Sequence, residues 1–384
     1  MFRSSLGLVA AAALLLASQA AWAEPYFAVR EGLRCSACHV NMNGGGMRTD
    51  LVNIHANELL HIPKMFGPLS RPTEYFNGDI NQYLGLGADL RASYSAQFQD
   101  DPGSDNQVKN NQIYRGRLER NDLDTDAFLY AEVRLIPDYL TLYVDFDLID
   151  TDAREAFGMV QGILPWNGYI KAGRMFLPYG LQLQDDEAFI RSDIFNFNAR
   201  ETAFEFGFEP GPLTWIFAVS DGAGGDRDVR LTTTAYTLFT ELPVVRNVLA
   251  GTSFSRTGSL TGDRIVYGFF AGTNIQRLTL LGEVDFRSDS RDGDQGSKGQ
   301  FLAYAEADYL FFDWLNFKIA YDYSDSNEAG STLVDDSRNR VSFGVEPFLA
   351  RYLQLRLMYR ISNGIETRPD RNRNELYAEA HVFF

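Results

Sequence analysis

The sequence predicts an all-β fold, a transmembrane antiparallel β-barrel of about 16 strands, with a small α-helical segment ahead of it. Three observations carry this. From residue 84 to the end, apolar residues recur at every second position, the period of a strand with one lipid face and one wet face. Short connections alternate with long ones, as turns on one rim and loops on the other require. The last segment also presents an unbroken apolar face, Leu376, Ala378, Ala380, Val382 and Phe384.

Taken in order, residues 1–23 read as a signal peptide: Arg3, the apolar stretch Leu6 to Ala17, then Ala21-Trp22-Ala23, an A-x-A pattern that suits cleavage after Ala23. The apolar part is shorter than the roughly 18 residues of a membrane helix, and no later run approaches that length. The chain is 45% hydrophobic, yet its mean hydropathy is −0.22. Loss of Arg3 with the leader takes the formal charge from −16 to −17. So acidic a chain is poorly suited to neutralising phosphates, and no nucleic-acid partner is expected.

The only two cysteines open the run Cys35-Ser36-Ala37-Cys38-His39. At this spacing two thiols can add to the vinyl groups of haem while the next histidine meets the iron. The expectation is one haem c, bound covalently by Cys35 and Cys38, with His39 as proximal axial ligand. A redox CxxC would want a βαβ context, and none is visible. Gly44, Gly45 and Gly46 let the backbone turn and approach a flat ligand closely. Residues 47–62 then read as a helix stopped by Pro63, with Leu51, Val52, Leu59 and Ile62 on one face and His55 in its middle. His55 is therefore the first candidate for the distal iron ligand. His61, Met47, Met42 and Met65 are the alternatives, His381 is an outsider on the last strand, and an open sixth position is a further option. Residues 24–75 form this haem segment. It is too small for a core of its own, and the barrel lumen offers the place where it could pack as a plug.

Residues 76–384 form the barrel. The strand segments are 84–99, 112–136, 139–150, 154–165, 168–175, 201–209, 212–220 and 229–242, then 245–256, 264–274, 277–288, 299–312, 315–325, 338–349, 352–362 and 373–384. Leu140, Leu142, Val144, Phe146 and Leu148 alternate with Thr141, Tyr143, Asp145 and Asp147; Leu353, Leu355 and Leu357 alternate with Gln354, Arg356 and Met358. Short turns such as Pro137-Asp138, Pro210-Gly211-Pro212, Gln276-Arg277 and Ala350-Arg351 suit the periplasmic rim; 100–111, 176–200, 287–298, 326–337 and 363–372 suit the outer one. Trp166, Tyr169, Phe311, Phe312 and Trp314 suit an interfacial girdle. The register turns more carboxylates than cations inward. Asp89, Glu132, Asp145, Asp147, Glu283, Asp285, Glu306, Asp308, Asp322, Glu346, Glu375 and Glu379 face Arg91, Arg134, Lys171, Arg230, Lys318, Arg356 and Arg360. Such a lumen favours cations. The Asp-rich stretches 285–294 and 322–339 are candidate ion loops.

Lys171-Ala172-Gly173-Arg174-Met175-Phe176-Leu177-Pro178-Tyr179-Gly180 resembles the G-x-F-x-x-P-[FY]-G stretch of phosphate-selective-type porins, and the terminal Phe384 resembles a bacterial barrel-insertion signal. The order leader, CxxCH, barrel resembles the outer-membrane monohaem cytochrome–porin fusions of iron-oxidising bacteria. That resemblance implies residence in the cell outer membrane among its lipids, and electron transfer through the haem. It implies extracellular Fe(II) or another redox partner outside, and a periplasmic electron-carrier protein inside. Since the apolar band of such a barrel is about 25 Å tall, a haem at one edge cannot serve both faces unless the segment lies in the lumen or partners reach in. A second reading is a substrate- or cation-selective porin with a structural or sensory haem segment. An enzyme has little support: no Ser/His/Asp constellation, metalloprotease motif or phosphate loop is present.

Overall fold

The computed structural model describes residues 24–49, 78–99, 117–185, 187–193, 200–222, 229–240, 247–259, 262–291, 298–327, 337–350, 353–363 and 373–383. The leader, His55, His61 and Met65 lie outside the described residues.

Sixteen long strands build the wall: β2 (Leu84–Gln99), β3 (Arg117–Ile136), β4 (Leu140–Asp147), β5 (Asp152–Leu164), β6 (Gly168–Met175), β7 (Glu201–Phe208), β8 (Leu213–Ser220) and β9 (Val229–Thr240). They continue with β10 (Asn247–Ser259), β11 (Gly262–Ile275), β12 (Leu278–Arg291), β13 (Lys298–Phe312), β14 (Leu315–Asn327), β15 (Arg338–Ala350), β16 (Leu353–Asn363) and β17 (Arg373–Phe383). Each pairs antiparallel with its sequence neighbour, and β17 returns to β2, with Phe383 opposite Asp89, so the sheet closes without an edge. A three-residue strand, β1 (Asp79–Asn81), hooks onto the start of β2 and has no alternating signal to announce it.

Alternation decides which face each side chain takes. In β4, Thr141, Tyr143, Asp145 and Asp147 are buried, while Leu142 and Val144 are exposed on the outside. The same holds in β16 for Gln354, Arg356, Met358 and Arg360 against Leu357. The outer face carries Phe269, Phe311, Phe312, Ile319 and Phe343. The inner face carries the carboxylates and cations. Tight turns at one rim use left-handed residues, Asp138, Trp166, Asn167 and Gln276, whose twist suits short hairpins. Tyr169 is not a girdle residue. It points inward, and its hydroxyl donates to Glu205 at 2.9 Å, because its position in β6 has the inward parity of Lys171.

Two further expectations are corrected. Residues 47–49 do not begin a helix. The Val40 N–H donates to the Met47 carbonyl and the Thr49 N–H to the Cys38 carbonyl, both at 3.0 Å, and His39 pairs with Arg48 in an antiparallel bridge. Gly44, Gly45 and Gly46, all with positive φ, turn this hairpin. The remainder of the expected helix lies outside the described residues. The second correction concerns the long connection after β6. Its described part, residues 176–185 and 187–193, folds into the lumen rather than standing outside. Phe176, Leu177, Tyr179, Leu181 and Leu183 are buried there, and a short helix, α1 (Phe189–Ser192), packs under β13 and β14. The backbone N–H groups of Gly180, Leu181 and Phe189 donate to Ser253, Glu283 and Asp322 at 2.9, 2.7 and 3.0 Å. Lumen carboxylates thus satisfy a loop that would otherwise bury unpaired donors.

Candidate cofactor site

Residues 24–49 also lie in the lumen. The helix α2 (Pro25–Glu31) has proline in its first turn and ends at Gly32, whose φ of 68° closes a left-handed cap. The Asn247 side chain donates to the carbonyls of Val29 and Arg30, both at 2.8 Å, satisfying the helix end from the wall. Arg34 pairs with Glu209 at 3.1 Å and donates to the Gly211 carbonyl, and Ser36 donates to Glu209 at 2.7 Å. A single turn, α3 (Cys35–Cys38), follows. Beyond it, Asn41 donates to Glu155 at 3.0 Å and accepts from Lys171 at 3.0 Å, and Asn43 donates to Glu205 at 2.7 Å. The Met47 N–H donates to the Tyr143 hydroxyl at 3.0 Å. Periodicity names none of these partners, because each is set by where the segment enters the barrel.

The segment, the inward loop and the wall leave between them a largely apolar cavity of about 210 Å³. Phe27, Val29, Leu33, Cys35, Cys38, His39 and Met42 line it from the segment; Pro178, Tyr179, Leu181 and Gln184 from the loop; Tyr236, Leu249, Phe270, Phe348, Gln354, His381 and Phe383 from the wall. Leu249, Phe348, Gln354 and Phe383 lie within two residues of their strand ends. The cavity therefore sits at the short-turn end of the barrel. The inward loop lies between it and the long-loop rim.

Cys35 and Cys38 are free thiols facing this space. Burial, reinforced by the neighbouring Cys38, pushes Cys35 up to about 11, and burial raises Cys38 as well. Neither is the acidic thiol of a redox CxxC pair. The His39 imidazole is buried, and its Nδ1 has no hydrogen-bond partner. Burial first, then Arg48, lowers its pKa to about 3, against a weaker opposing pull from the Gly45 and Gly46 carbonyls. A neutral imidazole with an unpaired nitrogen is the form that binds a metal. Two thiols, this imidazole and an apolar wall fit a covalently tethered macrocycle.

Of the candidates for the distal position, Met42 borders the cavity. Met47 does not: its methyl group lies against Gly78 and Gly85. His381 borders the cavity, but both ring nitrogens are engaged, Nε2 with Asp89 at 2.9 Å and Nδ1 with Gln354 at 3.2 Å. In the Asp-rich stretches, Asp285 accepts from Tyr179 and Asp322 from Arg340, and no cluster suited to a metal ion occurs among the described residues.

No protein-family model matches the chain, and no curated protein matches it in sequence. Solved structures match it in fold. A loop-deletion mutant of the outer-membrane protein OmpT of Vibrio cholerae aligns with TM-score 0.59 and 13% identity over 78% of this chain and 99% of its own. An anion-selective porin from Comamonas acidovorans aligns with TM-score 0.55 and 11% identity over 78% and 99%. OmpF of Salmonella typhi, in complex with daunomycin, gives 0.54 and 10% over 80% and 99%. The chain has the fold of these porins.

Proposed function

We propose that this chain is an outer-membrane electron-transfer protein, a porin-fold barrel whose lumen holds one haem c on Cys35, Cys38 and His39. The observation that carries the reading is the meeting of both thiols and the neutral His39 imidazole on a single, largely apolar cavity. Bound there, haem would supply reversible one-electron chemistry at its iron. The thiols tether, the neutral imidazole offers a nitrogen, and the apolar wall keeps water away. Residence in outer-membrane lipid is supported by the apolar outer face and by the porin fold. A periplasmic carrier protein is the partner suited to a cavity at the short-turn end. Extracellular Fe(II), or another redox partner, would have to act across the inward loop.

The test is expression with the leader in a host that attaches c-type haem. The chain should stain for haem on a denaturing gel, and Cys35→Ala with Cys38→Ala should abolish the stain. Full staining of that variant would overturn the attachment. Reduction of intact cells by external Fe(II), followed at the haem bands, then tests the outer partner.

The porin fold and the excess of lumen carboxylates favour a second reading, a cation-selective pore with a structural haem segment. An open conductance together with a redox-silent haem would select it.

A further inference from the structure

His39 and Arg48 face each other across an isolated antiparallel bridge. Directly opposed residues in such a pair project from the same face, with Cβ atoms about 5 Å apart. The hairpin therefore sends an imidazole and a guanidinium into the same cavity, and both line it. The Arg48 guanidinium lies over the Phe383 ring, 3.8 Å from its centroid. Among the described residues, no carboxylate comes within ion-pair distance of it. By contrast, the buried cations of the wall strands, Arg91, Arg154, Lys171, Lys318, Arg340, Arg356 and Arg360, each hold at least one. The other cation of the cavity lining, Arg34, is held by Glu209 and the Gly211 carbonyl.

Charge acts on Arg48 only from further away, through Asp89 and Arg91 on β2, Tyr130 on β3, and Glu24 ahead of α2. Burial makes its charged form less favourable. A cation so placed gains from an anion brought to it, and the guanidinium fork matches a carboxylate in two parallel hydrogen bonds.

We infer that Arg48 is the carboxylate anchor of the cavity, binding an acidic side arm of the macrocycle that Cys35, Cys38 and His39 tether. The inference rests on the covalent-haem reading, since it is the porphyrin of haem that carries propionate arms. It adds the orientation: the edge bearing the propionates lies on the Arg48 side of the hairpin.

The experiment uses the full chain with haem attached, in parent, Arg48→Gln and Arg48→Lys forms. Haem staining reports attachment, heat-modifiable migration reports the barrel, resonance Raman reports the propionate bending band, and a redox titration reports the midpoint potential. In Arg48→Gln we expect staining and migration to be retained, the propionate band to shift, and the potential to move negative as a cation near the iron is lost. Arg48→Lys should shift the band part-way, because an ammonium replaces a fork with a point contact. An unshifted band in Arg48→Gln overturns the anchor, even if the potential falls, since the charge then acts at a distance. Should that variant not reach the barrel form, Arg48→Lys decides, and an unshifted band again overturns the anchor. Absence of haem from the parent chain overturns the attachment reading and this inference with it, so staining of the parent separates the two failures.

Discussion

Asp185 shows how one side chain holds a loop inside a barrel. It meets Arg340 at 3.0 Å and Arg360 at 3.1 Å, one from each of two adjacent strands. Burial by itself would raise its carboxyl, but Arg340, Arg360 and Arg356 outweigh that and hold it well below the usual carboxylate range. Its folded pKa is thus lower than its unfolded value of about 3.9. The stability this linkage contributes is fully present above the unfolded value and is lost as pH falls through the folded one. The inward loop should therefore stay seated through neutral and mildly acid pH and loosen only below about pH 4. Asp185→Asn leaves two arginines short of a partner and should cost about 3 kcal/mol. Protease nicking within 176–200 is the measurement. An Asn variant nicked no faster than the parent, with the same acid profile, would remove Asp185 from this role. The carboxylate was visible in the sequence, but its partners were not. Arg340 and Arg360 lie more than 150 residues away, and only closure of the sheet brings them to it.

At the scale of elements, the strands were legible and the pieces inside them were not. A wall strand sees lipid on one side and a polar lumen on the other, so its sequence records the environment at every residue, as Leu142-Tyr143-Val144-Asp145 does. A segment packed inside the lumen meets a mixed surface on all sides and records no period. For the hairpin 39–48, three consecutive glycines were compatible with a loop before a helix, and only the return pairing of Arg48 with His39 shows otherwise. For 176–193 a signal was present. Leu177, Tyr179, Leu181 and Leu183 alternate with Pro178, Gly180, Gln182 and Gln184, a burial pattern out of place in a loop facing water. Glycine has a definite purpose in both pieces. Gly46 has φ 65° and a Cβ there would overlap the Tyr143 hydroxyl; Gly180 has φ 58° and a Cβ would overlap the Glu283 carboxylate. Gly46→Ala should therefore dislodge the hairpin, at about 1–2 kcal/mol for the left-handed backbone alone, and reduce haem staining while barrel migration is unchanged. Gly180→Ala should speed nicking of the inward loop and leave staining high. Equal effects of the two variants on staining would show that the hairpin and the loop do not act as separate supports of the cavity.

At the scale of the whole molecule, the question is whether this barrel conducts. Sixteen strands enclose room for a water-filled channel, and the wall is strongly acidic inside. Among the described residues, sixteen buried strand carboxylates stand against seven buried strand lysines and arginines. An empty lumen of that sign would pass cations in preference to anions. Here, however, two pieces of chain occupy the lumen. The segment 24–49 spans from Glu209 near one turn to Tyr143 and Lys171 on other strands, and residues 176–193 cross from Ser253 to Asp322 and Arg338. Both are tied down by charge-assisted hydrogen bonds in a low-dielectric interior, the kind that salt screens least. The parent chain in a planar bilayer should therefore show little conductance, far below that of an open barrel of this strand number. Removal of residues 24–49 uncovers Glu155, Glu205 and Glu209, which the segment now engages. Conductance should then rise several-fold and, with carboxylates outnumbering cations along the opened lumen, favour cations. Reversal potentials in a salt gradient give the sign. A large conductance in the parent would contradict closure by these two pieces. An anion preference after the deletion would show instead that the lumen cations, and not the more numerous carboxylates, govern the pore.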